Sequence, residues 1–228
     1  MSLGFGAMQW AEHLAREEER YRDGEARLAE IDDPDTRQRQ LTRMGNAAGG
    51  AGLSLLMQGQ QGAAAEWFAR AAERYRESFT DAPPGSWGRP IGALKSRLLA
   101  GDWERAEDEA RWALELGAAK AESPIGKYAG CLALLVLGRD REARVLADDL
   151  RTHEGFPADV ADALAMITAQ DVAGYMLAAE SVLESFETRD EYLEDIPVAD
   201  TVMVLQALAE QREMAAELES QLLPKLQS

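Results

Sequence analysis

Apolar residues in this chain recur every three or four positions, and no stretch alternates in the manner of a half-buried strand. The first stripe is Trp10, Leu14, Tyr21 and Leu28, set against the charged run Arg16-Glu17-Glu18-Glu19-Arg20. That pattern predicts an amphipathic leading helix over 8–31. Gly24 weakens its middle, and Asp32-Asp33-Pro34 ends it and opens the next helix, because Asp caps a helix and Pro suits its first turn. Leu41, Met44, Ala48, Ala51 and Leu55 form a second stripe, closed by Gly59-Gln60-Gln61-Gly62 and answered by Ala64, Phe68, Ala71, Ala72 and Tyr75. Ser86 is expected to cap a helix running through Ala100, and Gly101-Asp102 turns the chain into Trp103 to Leu116. Ser123-Pro124 opens a helix that Gly138 ends, and Asp140 to Arg151 answers it. Pro157 begins a helix to Ala169, Asp171 to Phe186 follows, and Pro197 starts a last pair with a turn near Gln211 and an end at Pro224. The expectation is an all-α chain: one leading helix and five helical hairpins, at 35–79, 86–117, 123–153, 157–188 and 197–223, in a single domain over 1–228.

Gly59, Gly101 and Gly138 fall 42 and 37 residues apart, each after an apolar helix and before an Ala-rich one. Similar helix pairs at such a spacing mark a solenoid, because one pair cannot bury both its faces and neighbours must stack to complete a core. Gly101-Asp102-Trp103-Glu104-Arg105-Ala106, with Ala110 and Ala113 beyond it, resembles the turn and second helix of a tetratricopeptide repeat. Gly138 with Ala143 and Ala147, and Gly59 with Ala64, Phe68 and Ala71, look like further copies. The family's Trp early in the first helix and its Pro at the repeat end are missing here. The spacing also exceeds its roughly 34 residues, and the last two pairs match only as amphipathic hairpins.

The resemblance implies an α-α superhelix whose first helices line a concave groove. It puts Asn46, Lys95 and Tyr128 on that lining, with Arg89, Arg97 and Lys127 close by. Cations gathered there suit a carboxylate or an acidic peptide. Some family members use paired Asn and basic residues as a carboxylate clamp, but Gly50, Gly92 and Ala129 stand where the second Asn would fall. The other reading is that the protein's own helices, such as the leading one, fill the groove. A second, looser likeness covers Tyr175 to Arg189, Ile196-Pro197, Leu205 to Arg212 and Leu222-Leu223-Pro224, which look like helical immunity proteins that neutralise secreted bacterial toxins.

Composition narrows the function classes. The 228 residues are 46% hydrophobic and 29% charged, the balance of a globular chain. A net charge of −17 disfavours nucleic acid as a partner. Only four of the 24 cationic residues are lysines, against 41 acids, a surface like that of proteins from salt-loving organisms. No apolar run approaches the roughly 20 residues of a membrane-crossing helix. The N-terminus shows no basic segment leading into an apolar core, so a cytoplasmic location is expected.

Candidate chemistry is sparse. Cys131, in an apolar helical run, reads as a small buried side chain. His13 and the pair Asp149 and His153 offer too few ligands for a metal. Gly45-Asn46-Ala47-Ala48-Gly49-Gly50-Ala51-Gly52 lacks the Lys and the preceding strand of a phosphate loop, so its glycines read as close helix packing. Neither a catalytic set nor a cofactor is expected. The function expected is a non-enzymatic holder of a protein or peptide, with an immunity-type inhibitor as the alternative and an enzyme of unrecognised site behind it.

Overall fold

The computed structural model describes residues 7–225. Among them are ten α-helices and no strand, with 72% helix, so the all-α expectation holds. The helices are α1 (Ala7–Leu28), α2 (Pro34–Met57), α3 (Gln61–Phe79), α4 (Gly88–Leu99), α5 (Trp103–Glu115), α6 (Pro124–Val136), α7 (Asp140–Leu150), α8 (Ala158–Ala169), α9 (Val172–Glu187) and α10 (Asp200–Glu210). Two compact units share them. The first holds the described chain up to Asp102, Asp190–Val198 and the chain from Glu219; the second holds Trp103–Arg189 and Ala199–Leu218. The division at Asp102 falls inside the hairpin expected at 86–117.

In the first unit α1 packs on α2, α2 on α3 and α3 on α4. The core is built from Leu41, Met44, Phe68 and Leu94 with interleaved alanines. The α2 glycines give this packing its closeness, though not backbone to backbone. The Tyr75 ring lies where a Cβ on Gly45 would stand, at 2.9 Å, and the Phe68 ring does the same over Gly52 at 2.8 Å. Gly92 of α4 meets the other edge of Tyr75 at 2.7 Å, so one aromatic side chain of α3 is seated against glycines on both neighbouring helices. The whole glycine-rich stretch is helical, with no loop to cradle a phosphate.

The second unit also packs in chain order, from α5 on α6 through α8 on α9, and α10 lies against α8 and α9. Leu132, Leu134, Leu135, Leu164, Ile167, Tyr175 and Leu205 fill its core. A 3-10 turn at Ala118–Lys120 presses on α6 so closely that a Cβ on Gly130 would sit 2.8 Å from the Ala118 carbonyl carbon. Here backbone does meet backbone.

The three ruler glycines share one geometry. Gly59, Gly101 and Gly138 have φ of 74°, 71° and 67°, and after each the next residue's N–H reaches back across the helix end: Gln60 to Leu55 at 2.9 Å, Asp102 to Arg97 at 3.0 Å, Arg139 to Leu134 at 2.8 Å. This is a Schellman ending, which needs a left-handed residue and favours Gly. It occurs twice more without Gly. Gln170 and Glu213 take φ of 55° and 57°, with Asp171 donating to Met166 O and Met214 to Ala209 O, each at 3.0 Å. The turn recurs along the chain even where the glycine does not.

Three local expectations are corrected. Ser86 does not cap α4, because its hydroxyl donates to the Pro83 carbonyl at 2.6 Å and α4 begins only at Gly88. The last helix starts at Asp200, not Pro197. The final hairpin has one helix: after Glu213 the chain runs non-helical, because Gln206 accepts from the Ala216 N–H at 3.1 Å and donates to the Ala216 carbonyl at 2.5 Å. The Tyr175 hydroxyl fixes that amide by donating to it at 2.7 Å. A side chain has taken the place of a helix's own hydrogen bonds.

Candidate binding site on the first two helices

The leading stripe contains a polar residue the pattern had assigned to solvent. Glu17 stands three residues after Leu14 and four before Tyr21, on the buried face, and its exposure is 0%. Burying an ionised carboxylate is costly unless it is fully paired. Here Arg16 Nε donates to one oxygen and Arg20 Nη1 to the other, both at 2.8 Å. Burial outweighs both arginines and pushes the Glu17 carboxyl above its ordinary range.

The two arginines use their remaining donors on a distant segment. Arg16 Nη2 donates to the Glu194 carbonyl at 2.7 Å, and Arg20 Nη2 meets the Glu194 carboxylate at 2.5 Å. From α2, Asn46 Nδ2 donates to the other Glu194 oxygen at 2.8 Å, while the Tyr75 hydroxyl donates to Asn46 Oδ1 at 2.8 Å and so fixes the amide's orientation. Two residues on, the Ile196 side chain lies where a Cβ on Gly50 would be, at 2.5 Å. Glu194 and Asp195 both hold a left-handed backbone, with φ of 56° and 57°. That conformation costs a non-Gly residue about 1–2 kcal/mol. The side-chain bonds to Glu194 offset the cost. His13 lies near Asp195; burial first, then Arg16, holds its imidazole below the ordinary range, and its Nδ1 makes no hydrogen bond.

The expected site residues have separate placements. Asn46 belongs to this set. Arg89 of α4 donates to the Gln38 side chain of α2, its Nε buried without a partner and burial holding its guanidinium below the usual value. Arg97 is 5% exposed and lies 3.9 Å from Asp102. Lys95, half-buried on α4, is engaged as well. Lys127 and Tyr128 belong to the other unit. Lys127 pairs with Asp149 and sits 3.1 Å from His153 Nε2, and its charge holds Asp149 below the usual carboxylate range. Tyr128 packs against Phe156 with ring centroids 5.4 Å apart.

Sequence reasoning missed Arg16, Glu17, Arg20 and Glu194. One signal was available: an acid filling a core position of the first stripe is what a buried ion pair requires. Glu194 gave no local signal, because its partners are more than 140 residues away.

Elsewhere the molecule offers little chemistry. Among the described residues no group of three His, Cys, Asp or Glu side chains could hold a metal. The cation of Lys127 beside Asp149 and His153 already occupies the charge a metal would neutralise there. Cys131 is fully buried, and burial pushes its thiol up to about 12. An open cleft of about 480 Å³ between α7 and α8 is lined by Asp148, Arg151 and Asp162, and Arg151 is tied to Asp162 at 2.6 Å. No described helix is long and apolar enough to cross a membrane.

Fold and site together define an all-helical protein of sequentially packed helices, in which α1 and α2 hold an irregular segment of the same unit that carries one 3-10 turn, Leu193–Asp195. Comparison with family models, with curated proteins and with solved structures finds no match.

Proposed function

We propose that this chain is a non-enzymatic binding module of tetratricopeptide-like build that holds a protein or peptide partner in the cytoplasm. The supporting observation is the surface of α1 and α2. It grips an irregular segment through Arg16, Arg20 and Asn46, every one aimed at a single glutamate. A surface that holds one irregular segment by side-chain contacts has the equipment to hold another. The test is affinity capture at native salt with the wild type and with Arg20→Glu, followed by mass spectrometry. The expected result is a partner retained by the wild type and lost from the folded variant. Retention of nothing, or of the same proteins by both, sinks the reading.

A second reading rests on a different surface. Val172, Met176 and Leu177 are exposed on the first half of α9, Leu177 at 70%, beside the exposed Ala173. Contiguous apolar surface on an acidic protein marks a docking face. It overlaps the stretch that resembles immunity proteins, so an inhibitor would meet its toxin there. In that case Leu177→Glu abolishes a tight one-to-one complex with a toxin encoded nearby, and Arg20→Glu leaves it intact.

A further inference from the structure

We infer that the α1–α2 site takes a linear acidic ligand, a partner's segment with a glutamate followed two residues later by a branched apolar side chain. Residues 190–198 are then its resident, displaceable occupant. This rests on the reading of the chain as a binding module and adds the ligand's chemistry and the site's regulation.

The site's own contacts define that chemistry. Both carboxylate oxygens of Glu194 and its carbonyl are taken by side chains of α1 and α2, and Gly50 leaves the space that Ile196 fills. A glutamate and a branched apolar residue at i and i+2 are therefore the features recognised. Phosphate is disfavoured because Glu17 pairs with both arginines and partly neutralises them. A single carboxylate matches the charge that remains.

The occupant has an acidic, partly exposed half at 190–195 and a buried anchor, Ile196 and Val198, each 3% exposed. It adds no α-helix to its unit, and it is acidic through Asp190, Glu191, Glu194 and Asp195. Its two left-handed residues take a conformation they do not favour in isolation, so the site dictates its shape. Being tethered at both ends, it acts at an effective concentration on the order of millimolar, and a partner must outcompete it. The site is thereby closed to weak acidic sequences and open to a tight or multivalent one.

The experiment uses the full chain and a fluorescein-labelled nonapeptide with the sequence of residues 190–198, followed by fluorescence anisotropy. In Glu194→Gln/Ile196→Ala the resident segment is weakened, and the labelled peptide binds at least about tenfold more tightly than to the wild type. Adding Arg20→Ala to that variant removes the gain, and a peptide carrying the same two replacements does not bind. No binding to a double variant that circular dichroism shows folded overturns the proposal, as does equal binding to wild type and double variant. Should the double variant not fold, hydrogen exchange on the wild type decides. Excess peptide speeds exchange of the amides at 190–198 while α2 stays protected; no change up to about millimolar peptide overturns the proposal. Light scattering that reports a dimer of the double variant assigns the site to a second copy and overturns the partner assignment. Partner capture by the wild type that ignores excess peptide defeats this inference alone. Peptide binding without any captured partner defeats the module reading alone.

Discussion

Gln170 and Glu213 are the residues at which sequence and backbone disagree most openly. Both are exposed, both sit in the left-handed position of a helix ending, and neither side chain is needed for the turn. Gln170→Gly should therefore raise stability by about 0.5–1 kcal/mol, the left-handed strain relieved less glycine's extra chain entropy. Urea unfolding measures it, and a loss of stability would mean that Gln170 makes an unseen contribution. Glu17 gives a prediction with the opposite logic. Its folded pKa lies above its unfolded value, so the stability it contributes is present below the unfolded pKa and lost as pH rises through the folded one. Glu17→Gln removes that titration. The variant's stability relative to wild type should rise as pH climbs above the unfolded carboxyl's value of about 4, and a flat or falling difference would show that the arginines prevail over burial.

At the scale of elements, small residues set how near two pieces of backbone come. Gly130 is the sharpest instance, since the Ala118–Lys120 turn leaves no volume for a methyl group. Gly130→Ala should cost about 1–3 kcal/mol in overpacking, read as a lower thermal midpoint, whereas Gly49→Ala, which meets nothing within 4 Å, should be neutral or stabilising. Helix starts were legible where a cap has a mechanism. Asp33 and Ser123 accept from the N–H groups of Thr36 and Gly126 and are each followed by a proline, as the sequence predicts. Ser86 and the final hairpin were not legible. The Ser86 hydroxyl turns back to the Pro83 carbonyl, a local competitor that the capping pattern does not rank, and the Gln206 amide that holds Ala216 is fixed by Tyr175, 31 residues away.

For the whole molecule the governing quantity is charge. With 41 acids and 24 Lys and Arg, many carboxylates have no cation of their own, and several that do are exposed pairs along one helix, such as Arg111 with Glu107 and Asp108. Screening then favours the compact state: the thermal midpoint should rise between about 10 mM and about 1 M KCl. An unchanged midpoint would remove both self-repulsion and the salt-adapted expectation. The chain alone determined that it is all-helical, where most helices begin and end, and where glycine turns fall, because 3.6-residue periodicity, caps and left-handed turns are local physics. Tertiary structure alone decided that Glu17 is buried, that Asn46 meets Glu194, and that Glu194 and Ile196 lie against α1 and α2. Those outcomes depend on which distant groups satisfy a buried charge, and no local pattern encodes a partner more than 140 residues away.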